Sequence, residues 1–251
     1  MVKDEIKIDK IYKSETFDGS QEFLFHENST KRPSWVKANL DKKVIFLKII
    51  FKGEAFWYRR YFQDYFFIFD AVSQDYKNYY NEIAQNYESY IPQNKVMRKI
   101  ILDFLEELKV NKNSKILDIG AGTGIVTEGI AQAGYNDLTL LDISDKELEI
   151  AKNKPILSNA KFQTVDLVNE EILGKFNVVF ETMSLDYFKG EKLKLILSKI
   201  KNSLVKRGNI IIIDRHIYPE FNDYFKEIKK GKTELDTPEG KFDYYYFIGK
   251  N

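Results

Sequence analysis

The spacing of apolar residues changes twice along the chain. From Glu5 to Val72 apolar positions fall in short β-like runs: Glu5–Tyr12, Glu22–Phe25, Val44–Phe51, Ala55–Phe62 and Tyr65–Phe69. Lys52-Gly53-Glu54 predicts a hairpin turn between two of them, and the polar segment Glu27–Lys37, with Pro33 inside it, predicts a loop. Together the runs imply a small antiparallel sheet. From Gln74 to Leu108 the period becomes helical. Ile83, Ala84 and Tyr87 share one face, as do Val96, Ile100, Ile101, Phe104, Leu105 and Leu108, and Pro92 separates the two helices.

Beyond Asn111 strand and helix alternate. Strands are predicted at Lys115–Ile119, Leu138–Leu141, Lys161–Val165, Phe176–Phe180 and Asn209–Ile213. A helix runs from the glycine-rich turn to Ala133, another over Asp145–Lys152 with Ser144 as N-cap, and Leu193, Ile196, Leu197, Ile200 and Leu204 mark an amphipathic third. Thr233–Ile248 reads as a hairpin turning at Pro238-Glu239-Gly240. Apolar strands alternating with helices predict a parallel sheet covered on both faces.

The segment Ile116-Leu117-Asp118-Ile119-Gly120-Ala121-Gly122-Thr123-Gly124 runs from a strand straight into a helix. In open parallel sheets the carboxyl ends of the strands form the ligand crevice, and glycines there permit positive φ and close approach. A dinucleotide fingerprint requires Gly-x-Gly-x-x-Gly, but here the third glycine comes one residue early and Ile125 stands in its place. A phosphate-binding loop requires Gly-Lys-Ser/Thr, and no Lys follows Gly124. Asp118 lies just ahead of the glycines, Asp142 ends the second strand where a ribose-binding acid is expected, and Asp166 ends the third. Three carboxylates repel a pyrophosphate. They suit a ligand with an ammonium, a sulfonium, a ribose diol and an exocyclic amine, because ionised carboxylates accept hydrogen bonds and attract cations. S-adenosylmethionine has all four groups and no phosphate.

Asp118-x-Gly120-x-Gly122-x-Gly124 resembles motif I of the class I S-adenosylmethionine-dependent methyltransferases. Asp142 resembles that family's ribose-binding acid, Asp166-Leu167 its adenine-contacting pair, and Phe176-Asn177-Val178-Val179-Phe180 its fourth strand. Leu204-Val205-Lys206-Arg207-Gly208-Asn209-Ile210 is similar to the Leu-x-x-x-Gly-Gly turn into the fifth strand, with Asn209 replacing the second glycine. Tyr80-Asn81-Glu82-Ile83-Ala84-Gln85-Asn86-Tyr87-Glu88 resembles the Tyr-Asp-x-x-Ala-x-x-Tyr-Asp segment of the ubiquinone/menaquinone-biosynthesis-like branch. The resemblance covers residues 74 to about 214 and none of residues 1–72. It implies an α/β fold: a Rossmann-like, mostly parallel seven-stranded-type sheet with helices on both faces, plus a small N-terminal antiparallel β extension. The implied cofactor contacts are Tyr80, Tyr87, Asp118, Gly120, Ala121, Gly122, Gly124, Asp142, Ile143, Asp166, Leu167, Glu181, Thr182 and Met183.

Composition narrows the chemistry. Lys+Arg number 39 against 38 Asp+Glu, unlike the basic balance of a generic nucleic-acid binder. The absence of cysteine excludes disulfides, thiolate metal sites and cysteine nucleophiles, and with the last of these cytosine-C5 transfer. With only two histidines, His26 and His216, no metal site is expected. Exocyclic-amine nucleic-acid methylases resemble one another in an Asn/Asp-Pro-Pro-Tyr/Phe after the fourth strand, where this chain has Glu181-Thr182-Met183-Ser184. Met1–Lys10 is charged and lacks the apolar core of a signal peptide, and the longest apolar stretches are too short to span a bilayer, so a soluble, cytoplasmic protein is expected.

Methyl transfer from a sulfonium is an in-line displacement, so alignment and exclusion of water carry most of the catalysis. A base is required only where the acceptor must lose a proton. The candidates near the crevice are Asp186 and Tyr187, which would orient an acceptor, and His216, either a base at the crevice mouth or a surface histidine. Tyr79, Tyr80 and Tyr87 read either as core or as cofactor contacts. The run Phe56-Trp57-Tyr58-Arg59-Arg60-Tyr61-Phe62 reads as an acceptor wall, a dimer surface or the core of the small sheet. The expected organisation is residues 1–72 as an acceptor-binding or docking extension and 73–251 as the S-adenosylmethionine-binding domain. The leading expectation is a methyltransferase for a small-molecule or lipid-like acceptor. The alternatives are a protein or RNA methyltransferase docking through its N-terminal region, and a non-catalytic S-adenosylmethionine-binding protein.

Overall fold

The computed structural model describes residues 7–12, 23–25, 35–38, 46–51, 54–62, 65–68, 73–90, 94–237 and 240–251. The chain divides into two compact units, Met1–Glu82 and Ile83–Asn251.

The first unit is a six-stranded antiparallel sheet built from β1 (Lys7–Tyr12), β2 (Phe23–Phe25), β3 (Trp35–Ala38), β4 (Phe46–Phe51), β5 (Glu54–Phe62) and β6 (Tyr65–Ile68), in the order β1-β4-β5-β6-β3-β2. Phe51 pairs with Glu54, so the β4–β5 hairpin closes where expected, while Lys52 and Gly53 lie outside the described residues. Leu47 and Ile49 alternate along β4 and are fully buried with Val36, Tyr58 and Phe66. One expectation is corrected: Glu27–Lys37 is not all loop, because β3 begins at Trp35. A four-residue strand carries almost no periodicity, and this one is set by pairing with β2 and with β6, some thirty residues further along the chain. The aromatic run forms β5, and Tyr58 at its centre belongs to the sheet's core. Helix α1 (Ser73–Ile83) carries the chain across the boundary.

The second unit opens with α2 (Tyr87–Tyr90) and α3 (Asn94–Glu107). Its sheet comprises β7 (Lys115–Ile119), β8 (Asp137–Asp142), β9 (Lys161–Thr164), β10 (Phe176–Thr182), β11 (Leu204–Asp214), β12 (Lys226–Thr237) and β13 (Gly240–Lys250). The order is β12-β13-β11-β10-β7-β8-β9. The five strands from β7 to β11 run parallel, and β13 lies antiparallel between β11 and β12. Helices α4 (Ile125–Gln132), α5 (Asp145–Lys152) and α6 (Gly190–Ser203) make the crossovers, and the short α7 (Phe221–Tyr224) precedes β12.

Both faces of this sheet are apolar. Leu117, Ile119, Val179, Ile210 and Ile212 pack with Leu193, Ile196 and Ile200 of α6 on one side. Ile116, Val178, Phe180, Ile211 and Ile213 pack with Met97 and Ile101 of α3 and Ile125 and Ile130 of α4 on the other. That explains the near-continuous apolar strands, since alternation disappears when both faces are covered. The terminal hairpin begins at Lys226, earlier than the predicted Thr233, because Lys-rich β12 is an edge strand without apolar alternation. No helix among the described residues is long and apolar enough to cross a membrane.

Candidate cofactor-binding site

At the carboxyl end of β7 the chain turns through Gly120, Gly122 and Gly124, with φ of +68°, +54° and +73°. Side chains with a Cβ are strained in this left-handed region. Space is short as well: a Cβ on Gly120 would stand 2.4 Å from the Ser184 Cβ. One on Gly122 would stand 3.1 Å from a carboxylate oxygen of Glu147 and 3.5 Å from the Tyr87 ring. The Ala121 amide donates to the Leu141 carbonyl at 3.0 Å, tying the loop to β8, and the Gly124 amide donates to the Ala121 carbonyl at 2.8 Å. The loop therefore presents bare backbone, with no lysine cradle for phosphate.

Two predicted acids meet there. Asp142, 7% exposed at the end of β8, accepts from the Gly122 amide and from the Ser144 amide, each at 2.8 Å. Burial raises its carboxyl above the usual range, and these backbone donors oppose the rise. Asp118 is buried on β7, with one oxygen bonded to the Thr127 hydroxyl and the other, Oδ1, without a hydrogen-bond partner. Burial, relieved in part by Thr127 and reinforced by the charge of Asp142, pushes it up to about 8. A third acid beside them was not anticipated. Glu147 is 2% exposed and has an unpartnered Oε1, and its carboxyl is raised well above normal by burial and by Asp142. Its amide donates to the Ser144 hydroxyl at 3.1 Å, as in a capping box. That spacing gives the acid an ordinary local role in sequence and hides its position against Gly122.

The remaining predicted contacts lie on several elements. Ile143 and Ala121 are half-buried neighbours of the acids on β8 and the loop. Asp166 follows β9, and its carboxylate accepts from the Val168 amide at 2.9 Å and the Asn169 side chain at 2.7 Å, holding its own turn. Leu167 is buried beside it, and its carbonyl takes a 3.0 Å bond from the buried Lys199 ammonium of α6. Tyr87 begins α2 close to Gly122. Glu88 next to it accepts from the Thr123 hydroxyl at 2.9 Å and pairs with Lys154 at 2.6 Å, which also reaches Glu128 at 3.2 Å. This clasp fixes α2 to the glycine loop and was not foreseen, since its members are scattered in sequence. Tyr80 lies in the first unit on α1, its ring edge-on to Tyr79 at 5.1 Å.

The carboxyl end of β10 forms the other wall. Met183 adopts φ +65°, rare for a side chain of its size, and its amide donates to the Ile213 carbonyl at 2.9 Å. This bend lets the fully buried Glu181 accept from the Ser184 amide and hydroxyl, both at 2.9 Å, and from the Leu185 amide at 3.2 Å. Glu181 thus holds the turn, with Thr182 and Met183 half-buried after it. Burial and the nearby Asp214 raise the Glu181 carboxyl, and burial and Asp186 push Asp214 up to about 7. Asp186 and Tyr187 follow in a single 3-10 turn. Asp186 meets three partners from the segment after β11: His216 Nδ1 at 2.8 Å, the Tyr218 hydroxyl at 2.8 Å and the Arg215 guanidinium at 2.7 Å. Burial raises its carboxyl, but Arg215 and the two hydrogen bonds outweigh burial and hold it below the ordinary value. Tyr187 is half-buried in the same turn.

The donor set suits a cationic nucleoside: buried acids with open oxygens, a glycine cradle and no phosphate grip. Residues 116–208 match a family model described as a methyltransferase domain. Over 157 residues the chain is 24% identical to the human protein named EEF1A lysine methyltransferase 2, covering 57% of this chain and 65% of that one. Over 83 residues it is 32% identical to a ubiquinone biosynthesis O-methyltransferase of Bordetella avium, covering 31% and 34%. The chain spans less than two thirds of the length of either relative. In structure it is similar to the magnesium protoporphyrin IX methyltransferase of Synechocystis PCC 6803, solved with S-adenosylhomocysteine bound, with a TM-score of 0.60 at 14% identity over 71% of this chain and 99% of that one. The second unit therefore has the Rossmann-like methyltransferase fold, and the segment that matches the methyltransferase-domain model holds the glycine loop with Asp118, Asp142, Glu147, Asp166 and Glu181.

Proposed function

We propose that the chain is an S-adenosylmethionine-dependent methyltransferase acting on a small-molecule or lipid-like acceptor. The observation that carries the reading is the unpartnered, buried Asp118 Oδ1 beside Asp142 at a glycine loop that lacks a phosphate cradle. Asp142 would take the ribose hydroxyls, Asp118 the ammonium through the loop, Asp166 and Leu167 the adenine end, and Tyr87 would cover Gly122. Gly120, Ala121, Gly122 and Gly124 would let the ligand approach the backbone, with Ile143 beside the ribose. Thr182 and Met183 would face the methyl group over the turn that Glu181 holds. The bound cofactor supplies a methyl group on a sulfonium, already activated for transfer. The protein's part is to align the acceptor and exclude water.

The small-molecule preference rests on the Tyr80–Glu88 segment, similar to the ubiquinone/menaquinone-like branch, and on the Bordetella relative. A protein acceptor is the second reading, favoured by the relative named for a lysine of EEF1A. In this reading residues 1–72 are an acceptor-binding or docking element. Titration calorimetry with S-adenosylhomocysteine tests the cofactor assignment, with saturable binding expected and none at millimolar ligand overturning it. Transfer of labelled methyl into lipid extract, small-metabolite and protein fractions then separates the acceptor classes. A variant lacking residues 1–72 is expected to keep cofactor affinity and lose transfer.

A further inference from the structure

Resting on the methyltransferase reading, we infer that His216, positioned by Asp186, is the general base for an acceptor hydroxyl, so that the enzyme methylates oxygen. The geometry is that of a base fixed beneath and open above. The Asp186 side chain is 10% exposed and that of His216 63% exposed. Nδ1 lies 2.8 Å from Asp186 Oδ1. An ionised carboxylate only accepts, so in the neutral ring Nδ1 carries the proton and Nε2 the lone pair. Nε2 has no hydrogen-bond partner among the described residues. The carboxylate cannot swing away, because the Tyr218 hydroxyl and Arg215 hold it as well.

The turn that carries Asp186 begins beside the glycine loop. Ser184, two residues before Asp186, is the side chain a Cβ on Gly120 would strike, and its hydroxyl donates to the Ile119 carbonyl at 3.3 Å. The Asp186 amide in turn donates to Asp214 at the end of β11 at 2.8 Å, which ties the 3-10 turn to the strand that delivers His216.

A positioned base favours oxygen over nitrogen, because a hydroxyl must shed its proton to attack whereas a neutral amine attacks with its own lone pair. Among the described residues, Asp186 and Tyr218 meet the ring, and Asp214 and Arg215 meet Asp186 behind it. Asp186 is neutralised by Arg215, whose side chain is 44% exposed. A hydroxyl arrives neutral, and the lone pair on Nε2 is free to take its proton as negative charge develops on the oxygen. In the reaction the hydroxyl proton passes to Nε2. The oxygen bonds to the methyl carbon as the carbon–sulfur bond breaks, its electron pair remaining on sulfur as a neutral thioether. The imidazolium then returns its proton to solvent.

The test uses the full chain with His216→Gln and Asp186→Asn, and catechol, 4-hydroxybenzoate and oligolysine as probe acceptors. Methylation of a phenol is expected, reduced roughly 100-fold or more in His216→Gln and less in Asp186→Asn. The acid limb of the wild-type rate–pH profile is expected to vanish in His216→Gln, with S-adenosylhomocysteine affinity unchanged within about twofold. Independently of turnover, imidazole 15N shifts, assigned by difference from His216→Gln, should show the Nδ1–H form of His216 in wild type and a tautomer mixture in Asp186→Asn. Wild-type rates in His216→Gln, an Nε2–H form, or methylation of oligolysine alone or of no probe in a protein that binds the cofactor product would overturn the inference. A wild-type protein that fails to bind S-adenosylhomocysteine would instead overturn the methyltransferase reading beneath it.

Discussion

The Gly122 amide donates to Asp142 Oδ2 at 2.8 Å across 20 residues of sequence. This bond joins the loop after β7 to the end of β8, so the acid assigned to the ribose also shapes the glycine cradle. Asp142→Ala removes both functions. Its affinity for S-adenosylhomocysteine should fall by roughly 1–3 kcal/mol, the cost of leaving buried hydroxyl and amide donors without their acceptor. Calorimetry returning wild-type affinity would remove Asp142 from the site.

Cofactor binding should release protons. Asp118 is pushed up to about 8 in the free protein by burial, with the Asp142 charge adding to the effect. Below that pH it is largely neutral, and a bound cation favours its ionised form, so affinity should rise from pH 6 to pH 9. Calorimetry in buffers of different ionisation enthalpy should show proton release on binding near neutral pH, diminished in Asp118→Asn. Stability of the free protein runs the other way. An acid raised in the folded state holds more protons than the unfolded chain between about 4 and 8, so the free energy of unfolding falls as pH rises through that window. Asp214, pushed up to about 7, acts in the same direction. Melting temperature without ligand should therefore fall from pH 5 to pH 8, less steeply in Asp118→Asn. A flat or rising profile would contradict the burial of these acids.

Gly120→Ala should damage the loop for two separable reasons. The alanine must hold φ +68°, which costs about 1–2 kcal/mol for an L residue. It must also clear the Ser184 Cβ, 2.4 Å from where its own Cβ would stand. Adding Ser184→Gly removes the contact and leaves the backbone cost, while the amide at position 184 can still reach Glu181. The double variant should recover part of the melting temperature lost by Gly120→Ala. Equal losses in single and double variants would show that the contact does not matter.

The parts of this molecule written in local periodicity were legible in its sequence, and the parts made by distant pairing were not. Ser144 caps α5 as its position implied, and the apolar strands from β7 to β11 form the parallel sheet they suggested. The loop glycines were readable because positive φ strongly favours glycine. By contrast, β3 is too short to show a period and exists through β2 and β6. Glu147 was concealed by its capping-box spacing. The clasp of Glu88, Thr123 and Lys154 assembles residues 31 to 66 positions apart, and nothing local in the chain announces it. His216 was visible as a histidine after β11, but its bond to Asp186 needed the 3-10 turn after β10 to be in place.

Lys199 shows how a residue that looks like an ordinary polar position of an amphipathic helix can support the site. Its side chain is only 7% exposed, and its ammonium donates to the carbonyls of Leu167, Val168 and Glu170 at 3.0, 3.2 and 2.9 Å. These carbonyls belong to the turn that Asp166 begins, so a cation on α6 anchors the end of the crevice assigned to adenine. Lys199→Met keeps most of the buried stem and removes the donors. The variant should lose roughly 1–3 kcal/mol of stability, because buried carbonyls lose their partner. Amide exchange should quicken in residues 166–171 more than in β7 or β8, and S-adenosylhomocysteine affinity should weaken while the Gly122–Asp142 bond persists. Unchanged exchange in that turn would mean that the Asp166 hydrogen bonds alone hold it, and the adenine end would then owe nothing to α6.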